Sequence, residues 1–264
     1  MLNWANRFSI SVFLDNNEYD NHHYHHFECL LAAAPYSIIE TKGADDLDAL
    51  YEWHATNKDW LFGHLSYDYR EQLFKNASSD KVSQFLFPSI FFFCPETVCY
   101  ISADKKSLVV ETLHSLAGLV LDEIMREPVP VNNRLPDITF NKRLDKETYL
   151  NHITKLKEHI RNGDCYEVNF CNEGFAENVI VDPVAAFQKL NQSAPAPFAA
   201  YYKYYDQYIL CSSPERYLCK QRNNIVSQPI KGTIRRGAHW AEGDQFKQLL
   251  RNSEKDRAEN VMIV

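Results

Sequence analysis

Hydrophobic and polar positions divide this chain into two kinds of text. Up to about residue 113, apolar positions come in short runs dense in aromatic and β-branched side chains. These runs, at 8–14, 60–69, 85–94, 97–101 and 107–113, predict strands. Polar turn text such as Ala103-Asp104-Lys105-Lys106 separates them. A helix is predicted over 116–126, with Ser115 as N-cap and Leu116, Leu119, Val120 and Ile124 on one face. Pro128, Pro130 and Pro136 then interrupt any regular element. They suggest dividing the chain into a strand-rich region, 1–140, and a second region, 141–264.

The second region opens on an amphipathic helix. Asp145 is placed to cap it, Tyr149, Ile153, Leu156 and Ile160 line one face, and Gly163 supplies a left-handed stop. A strand is expected over 166–175 and a helix over 183–190, with Asp182 as cap and Pro183 in the first turn. Two runs, 198–205 and 207–212, read as a hairpin turning near Asp206. A further strand, 225–230, follows the turn Arg222-Asn223-Asn224. Helical text starts at Asp244 and restarts at Ser253. It ends on the apolar run Val261-Met262-Ile263-Val264, which suggests a fragment of a longer chain.

Composition narrows the function classes. The 264 residues carry 28 Lys and Arg against 35 Asp and Glu, a net charge of −7, which argues against a nucleic-acid coat. This balance also assigns Tyr201, Tyr202, Tyr204 and Tyr205 to a sheet face rather than to base stacking. No run approaches the ~20 apolar residues of a membrane span, and no basic-then-apolar leader opens the chain. Seven scattered cysteines without a C-x-x-C pair read as reduced thiols, so a cytoplasmic, membrane-free protein is expected. The cluster His22-His23-Tyr24-His25-His26 lacks a carboxylate or thiol at metal-ligand spacing and reads as a polar loop.

Three segments concentrate functional groups: Ser212-Ser213-Pro214-Glu215-Arg216, Pro229-Ile230-Lys231-Gly232-Thr233 and Glu254-Lys255-Asp256-Arg257-Ala258-Glu259-Asn260. A lysine followed by Gly-Thr at a strand end brings an amine, two N–H groups and a hydroxyl to one place, a cradle for a carboxylate. Taken singly, Lys231 also fits a solvated strand-end lysine, and Glu215 half of a surface ion pair with Arg216.

In this order the three segments resemble the chorismate-utilising enzymes. Ile160-Arg161-Asn162-Gly163-Asp164-Cys165-Tyr166-Glu167-Val168-Asn169, Ala194-Pro195-Ala196-Pro197-Phe198 and, more weakly, Gly63-His64-Leu65-Ser66-Tyr67-Asp68 add to the resemblance. It is dense from about Asp145 onward. Glu167 departs from the family's commoner glutamine. Lys231, where anthranilate-forming members carry alanine, is similar to the aminodeoxychorismate-forming branch (component I).

The resemblance implies an α+β fold, with large, mainly antiparallel sheets packed face to face and helices outside. It implies that Lys231 attacks C2 of chorismate with loss of the C4 hydroxyl, protonated by Glu215. Ammonia from a separate glutamine amidotransferase then enters at C4, giving 4-amino-4-deoxychorismate for p-aminobenzoate and folate synthesis. Gly232 and Thr233 would hold the ring carboxylate. Glu259 would ligate Mg²⁺. On physical grounds, burial or a nearby cation such as Mg²⁺, Arg235 or Arg236 would push the lysine toward its uncharged form. Tryptophan is a candidate second ligand, through the Pro195–Phe198 stretch. By the same resemblance, the remaining pocket and a further acidic Mg²⁺ ligand belong to text beyond Val264; if these 264 residues are all there is, the site is incomplete and the chain inactive alone. The rival readings are anthranilate synthase component I and a non-catalytic fragment that keeps only binding surfaces.

Overall fold

A computed structural model describes residues 1–19, 24–41, 46–70, 85–128 and 135–263. They fall into two compact units, one formed by Met1–Pro130 with Phe187–Val264, the other by Val131–Ala186.

The first unit is built on a seven-stranded antiparallel sheet. Its strands are β1 (Ile10–Asp15), β2 (Phe27–Thr41), β3 (Phe62–Leu65), β4 (Ile90–Ser102), β5 (Leu108–Thr112), β8 (Phe198–Tyr204) and β9 (Gln207–Ser213). The order is β3-β4-β2-β1-β8-β9, with β5 on β4 beside the far half of that strand. The sheet therefore draws strands from both the early and the late sequence. Alternation along β2 divides the core: Leu30 and Ala32 face one cluster with Ile10, Phe91 and Phe93, whereas Leu31 and Ala33 face another. The second face is covered by α1 (Leu2–Ala5) and α3 (Ala117–Arg126). Trp4, Val120 and Ile124 are buried there, worth about 1.5–3 kcal/mol each. The indole of Trp4 keeps its N–H satisfied by Glu123 at 2.9 Å.

Several predicted strands shift for identifiable reasons. The runs 85–94 and 97–101 fuse into one strand, β4, which passes through Pro95. Pro95 stands opposite Pro35 of β2 at a register shift, where a missing amide hydrogen breaks little of the ladder. β2 itself is unannounced in the sequence, because Ala32-Ala33-Ala34-Pro35 has poor strand propensity. The run 60–69 forms β3 only over Phe62–Leu65 and then a 3₁₀ turn, Tyr67–Tyr69. Helix α2 (Asp46–Thr56) is a further addition. Ser115 does not cap α3: the N-cap is Leu116, and the Ser115 hydroxyl donates to Glu96 at 3.3 Å. The hairpin β8–β9 forms as expected around Tyr205, whose φ is 54°. Tyr201, Tyr202 and Tyr204 are buried in it.

His64 shows how tightly this sheet sets chemistry. Its Nε2 lies 3.0 Å from the Pro88 carbonyl, which can only accept, so the proton sits on Nε2. Nδ1 then accepts from the Tyr202 hydroxyl at 2.9 Å. Burial holds the imidazole below its ordinary value of 6.5, against the opposing pull of the Pro88 carbonyl. The unfolded chain thus binds this proton more readily, and stability, complete above 6.5, falls as pH drops below it. Urea midpoints should fall from pH 7.5 to 5.5, and His64→Gln should flatten that fall. An equal fall in both proteins would refute the assignment.

The second unit holds α4 (Lys146–Asn162), capped as expected: Asp145 accepts from Thr148 N at 2.7 Å, and Gly163 takes φ 81°. Tyr149 and His152 of this helix rest on Phe170. The strand expected over 166–175 reduces to β7 (Gly174–Phe175), paired with β6 (Asn141–Lys142). An extended run without a partner of its own length has no ladder to join. Asp182 caps α5 (Pro183–Ser193) through the Val184 and Ala185 amides at 2.9 and 3.2 Å.

Candidate active site

The three functional segments all lie in the first unit, from the last residues of β9 onward. At the end of β9, Ser213 folds the chain back: its hydroxyl donates to Glu215 O at 2.8 Å and accepts from Glu215 N at 3.1 Å. The Glu215 carboxylate accepts the backbone N–H of Ile230, the residue before Lys231. Glu215 and Arg216 are therefore not partners of each other. Arg216 reaches Gln228 instead.

Between these anchors, β10 (Cys219–Gln221) and β11 (Asn224–Val226) form a separate hairpin turning at Arg222, with φ 55°. The strand expected over 225–230 stops at Val226, and residues 227–237 have no regular structure. They run without a neighbouring strand, held by side chains.

Lys231 is half-buried and lines a cavity of about 270 Å³ with Leu250, Asp256, Arg257, Asn260 and Val261. The last four lie on α7 (Glu254–Ile263) at i and i+4 spacing, which puts them on one face. Ser253 separates α7 from α6 (Trp240–Asn252), as the sequence suggests, and its hydroxyl accepts from Asp256 N at 3.3 Å. Gly232 is required here, because its φ is 75° and a Cβ would lie 2.8 Å from Asp256 Cβ. Lysine, glycine and helix are thus brought together, and Thr233 follows, exposed.

Glu259 sits one turn beyond Asp256 and pairs with Lys255 at 3.7 Å, its side chain 36% exposed. Among the described residues no three His, Cys, Asp or Glu side chains gather as a metal site. Mg²⁺ takes only one or two carboxylates, with waters and substrate oxygens completing its shell, so the lack of such a group does not by itself exclude the ion. Arg235 is directed elsewhere: its guanidinium bonds Glu242 at 3.1 Å and lies 4.8 Å over Phe246. Asp256, Arg257 and Asn260 belong to the third segment but had no role of their own in the sequence, and Gln228 lies outside all three segments. For the first three, the helical spacing within the third segment was the available signal.

A larger cavity, about 600 Å³, lies where β1 ends and β2 begins, with Pro197, Phe198 and Arg216 in its wall. Both charges line it: Asp15, Glu28, Arg216 and Lys220. Burial raises the Asp15 pKa, opposed by bonds from Asn17 and Asn191. Glu28 is held by the Glu18 amide at 2.8 Å. His25 and His26 also line this cavity, His25 3.7 Å from Glu28 and His26 3.2 Å from Gln221. His22 and His23 lie outside the described residues. All seven cysteines are free, and among the described residues no helix is long and apolar enough to cross a membrane.

Comparison with known proteins gives a consistent family and a mixed set of activities. A family model described as chorismate binding enzyme matches residues 14–264. Anthranilate synthase component 1 of Saccharomyces cerevisiae is 36% identical over 142 residues, 52% of this chain and 28% of that one. Aminodeoxychorismate synthase component 1 of Klebsiella aerogenes is 36% identical over 121 residues, 46% of this chain and 27% of that one. The chain thus matches less than a third of the length of these relatives. The crystal structure of anthranilate synthase component I from Streptococcus pneumoniae shares the fold, with TM-score 0.74 at 20% identity over 93% of this chain and 62% of that one. The α+β class with a large antiparallel sheet is therefore as expected.

Proposed function

The chain belongs to the chorismate-binding enzyme family, and on that premise we propose that it aminates chorismate at C4, as an aminodeoxychorismate synthase component I. The observation that carries this reading is Lys231. An amine stands in a cavity beside Asp256 and Asn260, on a segment whose preceding amide is gripped by a carboxylate.

In the proposed reaction, neutral Lys231 forms a bond from Nζ to C2 of chorismate. The ring double bond shifts and the C4–O bond breaks. Glu215, protonated, gives its proton to the departing hydroxyl, which leaves as water. Ammonia then bonds to C4, the double bond shifts back, the C2–N bond breaks with its electron pair going to the lysine nitrogen, and the new C4 ammonium returns a proton to the Glu215 carboxylate. The balance is chorismate plus ammonia to 4-amino-4-deoxychorismate plus water, with Lys231 regenerated. A lysine amine, which ordinarily titrates near ~10.4, is a poor nucleophile around neutrality, so the reaction requires the half-buried cavity to favour the neutral form. The Gly232 and Thr233 N–H groups and the Thr233 hydroxyl are donors for the ring carboxylate. Bound Mg²⁺, held by Glu259, would compensate the charge of that carboxylate. The ammonia donor is proposed to be a glutamine amidotransferase, and the aromatic, doubly charged 600 Å³ cavity would suit tryptophan.

Anthranilate synthase is the second reading, favoured by the similarity of the yeast relative. Lys231 separates the two. With chorismate, Mg²⁺ and ammonium, the product identified by mass should be 4-amino-4-deoxychorismate. Anthranilate, fluorescent and formed without a second enzyme, would replace this reading by the second, and absence of either would leave a binding fragment. In an active protein, Glu259→Ala should raise the Mg²⁺ concentration for half-maximal rate about ten-fold or more. A titration superimposable on that of the parent would remove Glu259 from the metal.

A further inference from the structure

A nucleophile is effective only when its position is fixed to about half an ångström, yet Lys231 lies within the irregular stretch 227–237. The strand ahead of it ends at Val226, so the backbone ladder does not fix it.

Two adjacent side chains take hold of that stretch from the end of β9. Glu215 accepts the Ile230 amide, as described above. Arg216 forks onto Gln228, with Nε 3.1 Å from Oε1 and Nη2 bonded to the same oxygen. The guanidinium is itself immobilised: it lies 5.1 Å from the Tyr24 ring and 5.4 Å from the Phe198 ring, and Nη1 donates to the Tyr24 carbonyl at 3.4 Å. Phe198 is the first residue of β8, so this contact reaches the large sheet. A fork bonded on one side and stacked on two rings is geometry that guanidinium provides and an ammonium does not.

We propose that Arg216 is a positioning residue for Lys231, tying the irregular stretch to the seven-stranded sheet through Gln228. It acts at a distance of three residues, without touching the reacting atoms. The proposal rests on the reading of Lys231 as nucleophile, but its physical content, a fixed amine, is measurable without turnover.

The test uses the full chain with Arg216→Lys, Gln228→Leu and the double variant, each checked by thermal melting. Acetic anhydride labelling, resolved by peptide mass spectrometry, reports the rate at Lys231 relative to Lys220. Each single variant should raise that ratio about five-fold or more, and the double variant should go no further than either single, because both remove one interaction. Turnover with chorismate and ammonium should show kcat about ten- to hundred-fold lower, with KM for chorismate within about three-fold. Unchanged labelling at Lys231 in folded variants would overturn the proposal, as would effects that simply add in the double variant. If Arg216→Lys does not fold, Gln228→Leu, on an exposed residue, carries the same test. A labelling rise in a chain that makes anthranilate instead supports the clamp and sinks amination at C4. Amination with flat labelling sinks the clamp alone.

Discussion

Lys231→Ala should abolish formation of 4-amino-4-deoxychorismate, with a loss of about 10³-fold or more in kcat while the protein stays folded. The amine is the proposed attacking group, and removal of a covalent nucleophile leaves only binding and electrostatic assistance to the reaction. The side chain is half-buried at the rim of a small cavity, so its truncation costs little packing. Gly232 beside it keeps the close approach to Asp256 that defines the site's shape. Traces of anthranilate are compatible with the mutant, because alanine at this position is what anthranilate-forming members of the family carry. Product analysis by mass, with melting curves of both proteins, checks the expectation. Unaltered C4 amination in the mutant would end the nucleophile assignment.

The second large effect concerns the fold. Gly63→Ala should destabilise the protein by about 3 kcal/mol or more and sharply reduce its folded yield. A Cβ at residue 63 would lie 1.9 Å from the Phe91 carbonyl oxygen and 2.7 Å from Phe92 Cα. Both are backbone atoms of β4, and Phe91 is wholly buried, so no flexible side chain is available to yield. β3 would have to separate from β4, breaking the ladder from Phe62 to Leu65 and displacing His64 from Tyr202 and Pro88. Gly118→Ala in α3 is the contrasting control. Nothing lies within 4 Å of the added carbon, and helix propensity favours alanine by about 0.5–1 kcal/mol. Urea unfolding of both variants decides, and a Gly63→Ala midpoint within error of the parent would show that the sheet accommodates the carbon.

Local signals read best where they close on themselves. Asp145 with Gly163, Asp182 with Pro183 and the break at Ser253 each need only neighbouring residues, and all three mark helix ends in the structure. The hairpin β8–β9 is legible for the same reason. β2 is not, because Ala32 and Ala33 are in a strand through what packs on them: both are wholly buried, one on each face. The stretch 166–175 fails in the opposite way, having strand-like composition but only a two-residue partner. At the site, the Lys231 segment stood out by its own composition. The partners of Glu215 and Arg216 did not, since Ile230 and Gln228 lie 15 and 12 residues away and meet them only after the chain doubles back.

The opposed pair Pro35 and Pro95 has a mechanical meaning. Neither residue owns an amide hydrogen, and they fall midway along the two longest strands, β2 and β4, where Ala34 also adopts φ 60°. Each long ribbon is thereby parted into two short ladders that meet at a crease. β3 is stitched to one panel of β4 and β5 to the other. Bending at the crease need not tear either row of hydrogen bonds, so the panels are free to pitch toward different layers while the polypeptide runs on unbroken.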